Sequence, residues 1–183
     1  MDSGEKRELL EFLRAGRHAL GEALSGVDDD LAAQKPPNGG WSILQCVEHM
    51  AVSEAYLATR LEVAQPVEEP TIHRTREARI LERATNRSRR IEAPEIAHPT
   101  SRYTSISEAL SALDSARARV LHWIENFEDD PRCWVTDHPM FPGPVTCFEM
   151  LLMIAAHPGR HAKQIVEIRS SLAGSNPLSP SSH

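Results

Sequence analysis

Apolar residues recur at helical spacing in four long segments of the chain. In the first, over about residues 4–24, Leu9, Leu13, Gly16, Leu20 and Leu24 fall on one face, and Gly26 follows as a terminator. The stretch KPPNGG, residues 35–40, then excludes regular structure through its prolines and glycines. A second helix is expected over about 41–64, with Ile43, Val47, Met50, Leu57 and Leu61 as its stripe and Pro66 closing it. The third runs from about 107 to 127 through Leu110, Leu113, Val120, Leu121 and Ile124, and the fourth over about 147–172. Three pairs, Ser42 with Gln45, Ser105 with Glu108 and Thr146 with Glu149, have the spacing of capping boxes and set the starts of the last three helices.

Alternating strand patterns are absent beyond a few residues, so the fold class is all-α: a four-helix bundle with a long crossover between helices two and three. The arginine-rich stretch of residues 74–90 adds a helical segment to the crossover, and residues 93–103, with Pro94 and Pro99, return as loop. Residues 1–172 are expected to form a single domain, and residues 173–183 (AGSNPLSPSSH) have the composition of a flexible tail.

Composition narrows the function classes. A chain of 183 residues, 40% hydrophobic and 25% charged, suits one folded domain, and no run nears the ~18 apolar residues of a membrane span. The N-terminus lacks the basic-then-apolar pattern of an export signal, and Cys46, Cys133 and Cys147 are odd in number and scattered, which suits free thiols in the cytoplasm. The net charge of -6 disfavours nucleic acid. Arg74, Arg76, Arg79, Arg83, Arg87, Arg89 and Arg90 form a local exception, read as a solvated helix face that could also guide an anionic ligand.

The chemistry lies in the histidines. His157 and His161 are four apart on the fourth helix and share a face with Met150, Met153, Ile154, Gln164, Ile165 and Ile168. Two imidazoles in so apolar a stripe need partners; a metal ion supplies one to each, while hydrogen-bonded core or surface positions are the plain alternative. A third ligand must come from elsewhere, with His18, His49, His73, His98, His122 and His138 as candidates. His49 is best placed, on the flank of the second helix beside Cys46 and Ser53; Cys46 itself reads as core packing. Pro158 and Gly159, between the helix-four pair, predict a kink or a π-type bulge.

Gly40-Trp41-Ser42 followed after six residues by His49, and the run AHPGRHAKQI of residues 156–165, resemble the paired motifs of the DinB/YfiT-like family. Ile91-Glu92-Ala93-Pro94 and the segment of residues 143–149 resemble that family's approaches to its third and fourth helices. The resemblance implies a four-helix bundle, commonly a homodimer, in which His49, His157 and His161 bind a divalent ion, zinc or nickel first. Three neutral imidazoles leave such an ion its full charge and an open position, which acidifies bound water or a bound thiol. It further implies a small-molecule substrate: a low-molecular-weight thiol in an S-transferase-like reaction, or else hydrolysis, or a non-catalytic metal- or ligand-binding bundle in a stress response. The loop of residues 131–144, with Trp134, Asp137, His138 and Phe141, is expected to line the pocket, with Asp137 or His138 as a general base if it faces the metal.

Overall fold

The computed structural model describes residues 1–37, 39–68, 74–88 and 91–174. His73, Arg89, Arg90 and residues 175–183 of the expected tail lie outside the described residues. The four long helices are α1 (Ser3–Leu24), α3 (Ile43–Glu62), α5 (Ile106–Asn126) and α6 (Cys147–Gly174). A short α2 (Asp29–Ala33) precedes α3, and the crossover carries α4 (Arg74–Thr85).

Each predicted cap forms, with one variation. Ser42 accepts from Gln45 N–H while the Gln45 side chain accepts from Ser42 N–H. Thr146 and Glu149 do the same at the start of α6. Ser105 caps α5, but the Glu108 carboxylate turns to Thr104, taking both its N–H and its hydroxyl. Asp2 and Glu5 form a further box at α1.

α1 lies along α6, α3 along α5, and α3 against α6; α4 packs on α6 from outside. The core has two clusters. Leu9, Leu13, Leu61, Val120, Met150 and Ile154 meet towards one end, and Leu20, Ile43, Val47, Leu113, Ile165 and Ile168 towards the other. Each such side chain, when fully buried, contributes about 1.5–3 kcal/mol of transfer free energy.

α6 stays α-helical across Pro158, with no π segment, so the expected bulge is not present. The neighbouring helix accommodates the proline turn through Gly16: a Cβ there would lie 3.1 Å from the Ala155 carbonyl and 3.5 Å from Pro158 Cβ. The absent side chain lets α1 pass close over this turn.

Three very short strands, missed by the periodicity, form an antiparallel ribbon in the order β1 (Gln65–Pro66), β2 (Trp134–Thr136), β3 (Val145–Thr146). It joins the end of α3 to the start of α6. At ~1.5 Å per residue, His49 then stands about 20 Å before the end of α3, and His157 and His161 about 15 and 21 Å after the start of α6. The ribbon thereby sets the three histidines at one level.

Candidate metal centre

The histidine turn of α6 falls between Ile154 of one core cluster and Ala162 of the other, opposite His49 on α3. His49 and His161 are each 5% exposed, whereas His157 is half-buried. One ligand nitrogen from each ring lies within 4.8 Å of the others. His157 Nε2 is central, 3.1 Å from His49 Nε2 and 2.9 Å from His161 Nε2.

Hydrogen bonding alone does not satisfy this arrangement. The Ala97 carbonyl accepts from Nδ1–H of His49 at 2.7 Å, so His49 Nε2 presents a lone pair to the cluster. A proton on His157 Nε2 serves one of its two contacts fully, and a proton on His161 Nε2 leaves the other two nitrogens lone pair to lone pair. If instead His161 carries its proton on Nδ1, its Nε2 is a lone pair as well, and one proton on His157 Nε2 cannot point to both neighbours. A cation facing all three Nε2 lone pairs satisfies them together, and the donor set of three imidazoles fits a borderline divalent ion.

Burial lowers the pKa of all three rings. For His49 the bond to Ala97 partly opposes the effect, whereas His157 and His161 are driven well below the ordinary range, with their neighbouring histidines and Arg160 adding to the shift. The three rings are therefore neutral at ordinary pH. Around them, Trp41 sits against His49 with ring centroids 4.7 Å apart, and Ser53 Oγ lies 3.4 Å from His49 Nδ1.

The other candidate histidines among the described residues lie outside the three-ring cluster, with His98 near enough to act electrostatically on His49 and His138 on His157. His18 and His122 are exposed, His122 beside Asn126. The ring of exposed His98 faces Trp41 and donates to the Ala93 carbonyl. Asp137 is exposed and pairs at 3.6 Å with Arg60. His138 is buried, its pKa is pushed by burial down to about 4, and its Nδ1 accepts Met140 N–H at 3.2 Å. Its remaining nitrogen then carries the proton, so His138 is a hydrogen-bond donor rather than a base. Burial pushes the Cys46 thiol up to about 12, and the side chain packs in the core.

A model of the DinB superfamily matches residues 13–165, a stretch that includes all three histidines. The chain belongs to the DinB superfamily. YuaE of Bacillus subtilis (strain 168) is 27% identical to this chain over 153 residues, covering 81% of this chain and 90% of its own. Two solved structures share the fold. YfiT of Bacillus subtilis, described as a probable metal-dependent hydrolase with an unusual four-helix bundle topology, matches with a TM-score of 0.59 at 17% identity, over 94% of this chain and 90% of its own. TT2238, a four-helix bundle protein, matches with a TM-score of 0.56 at 24% identity, over 87% and 97%.

Within this DinB chain the arginine-rich crossover is engaged internally. Arg74 pairs with Glu5 and Glu77, Arg76 with Glu149, and Arg87 with Glu167 and Gln164. These contacts absorb much of the positive run in the sequence. Sequence reasoning missed the Ala97 carbonyl, because a backbone acceptor has no residue signature, and it missed the packing of Trp41 on His49.

Proposed function

We propose that His49, His157 and His161 hold one divalent ion, zinc or nickel, in a metal-dependent enzyme that transfers the sulfur of a low-molecular-weight thiol to a small electrophile. The carrying observation is the ligand set, three neutral imidazoles with no carboxylate or thiolate in the cluster. Held by these three residues, a divalent ion would keep its full charge and would supply Lewis acidity that lowers the pKa of a thiol or water.

The protein's own residues do the rest. Ala97 fixes the tautomer of His49, burial keeps the three rings unprotonated, and half-buried His157 leaves a side for small molecules to approach. Arg160 brings positive charge to bear on both α6 histidines, which favours an anionic reactant beside them. Among the described residues no carboxylate hydrogen-bonds these rings, and neither Asp137 nor His138 is set as a base. With no such base beside the rings, deprotonation would fall to the cation alone, which supports the thiol because it is intrinsically far more acidic than water. In the transfer the thiol proton passes to solvent and the thiol sulfur bonds the electrophilic carbon; a haloaromatic loses halide with the carbon–halogen electron pair, whereas an epoxide carbon–oxygen bond or an enone π bond opens to an oxyanion that solvent protonates.

Hydrolysis is the second reading, favoured by the description of the similarly folded YfiT as a probable metal-dependent hydrolase. The deciding experiment loads the protein with zinc or nickel and runs two screens. One follows consumption of small thiols with haloaromatic, epoxide and enone electrophiles; the other follows hydrolysis of activated esters. Metal-dependent thiol consumption that disappears in His157→Ala is expected. Ester hydrolysis alone would decide for the second reading, and neither activity with metal bound would overturn both.

A further inference from the structure

The loop of residues 95–102 supplies the carbonyl that orients His49, and what fixes this loop is a carboxylate. Glu48 precedes His49 on α3 and is fully buried. Its Oε1 accepts Thr100 N–H at 2.7 Å and Arg102 N–H at 3.4 Å, with the Thr100 hydroxyl also at 3.4 Å. Between those two donors Ser101 has φ +61°, a left-handed conformation that a residue with a Cβ adopts at a cost. The left-handed residue turns the N–H groups on either side of it towards one point, forming an anion-binding nest around Glu48. Arg102 adds its guanidinium 3.5 Å from the same oxygen, but it is about half exposed, so the contact contributes little.

Packing alone does not account for this residue. A buried carboxylate costs free energy that a leucine would not, and Glu48 Oε2 has no hydrogen-bond partner among the described residues. The compensation lies at Oε1, in the loop. Adjacent residues of α3 thus grip the loop at two points: Glu48 at residues 100–102, and His49 at Ala97.

We propose that Glu48 is a positioning residue of the metal centre, holding the Ala97 carbonyl through the 100–102 nest so that His49 keeps its proton on Nδ1 and turns Nε2 to the ion. The inference rests on the metal-site reading above, but its consequence for His49 exists in the metal-free protein too. Glu48→Ala removes the acceptor. Glu48→Gln retains one acceptor oxygen without the charge.

The test measures Co²⁺ affinity by the visible absorption of the bound ion and, in metal-free protein, the His49 tautomer from ring ¹⁵N shifts. Glu48→Ala should weaken Co²⁺ binding by roughly 10–100-fold, as loss of an outer support does, and should turn a single Nδ1–H tautomer into a mixture at unchanged helical circular dichroism. Glu48→Gln should fall between, and carries the test if the alanine variant does not fold. Wild-type tautomer and affinity in the folded variants would overturn the proposal. Wild-type protein that binds no Co²⁺ would overturn the metal reading instead, with the metal-free tautomer still deciding the role of Glu48.

Discussion

Each imidazole of the cluster has a different anchor: His49 is held from behind by Ala97, His157 is flanked by the other two rings, and His161 is buried with only its Nε2 engaged. Loss of any one leaves two ligands, too few for a tight site. His49→Ala, His157→Ala and His161→Ala are therefore each expected to weaken metal binding by more than ~100-fold, beyond the loss typical of outer supports. Helical content should persist. Exposed His18→Ala and His122→Ala should retain wild-type metal content by elemental mass spectrometry; loss of metal in either, with retention in His49→Ala, would refute the assignment. The i, i+4 pair was readable because both residues sit on one helix. His49 became specific only through family resemblance, and the nest around Glu48 was unreadable because its partners lie more than fifty positions away.

The periodic segments and the capping spacings located the four long helices closely because both signals are local. The ribbon strands carry two or three residues each, too few for alternation to register, and exist through long-range pairing. The crossover helix α4 was visible as a segment, but its attachment was not. Arg132, 2% exposed, binds Glu77 from α4 and Glu5 from α1, with its guanidinium 3.6 Å above the Phe148 ring. Hydrogen bonding from Arg132, joined by Arg74 and opposed by burial, lowers the Glu5 pKa from 4.5 to about 2. A depressed carboxylate stabilises the fold fully above its unfolded pKa and loses that contribution as pH falls through the folded value. The urea midpoint should thus fall between pH 4.5 and 2, and Glu5→Gln should flatten that decline. Parallel curves for the two proteins would exclude the network as its source.

An ion on His49 and the α6 pair would tie two helices of different sequence position into one unit. By mass action, metal at about 1,000 times its Kd stabilises by ~4 kcal/mol, worth roughly 8–16 °C of Tm in a chain of this size. Thermal unfolding with and without a chelator should show that interval in the wild type and none in His161→Ala; equal melting in all four samples would contradict a bound ion. No described helix is long and apolar enough to cross a membrane. The pairing of α1 with α6 has a consequence on the ribosome, where the two are separated in time. At roughly 5–20 residues per second, the chain between them takes on the order of ten seconds to appear. Throughout that interval Leu9, Leu13 and Leu20 lack the surface they later cover. The nascent first helix is thus expected to present its apolar stripe to solvent until α6 emerges.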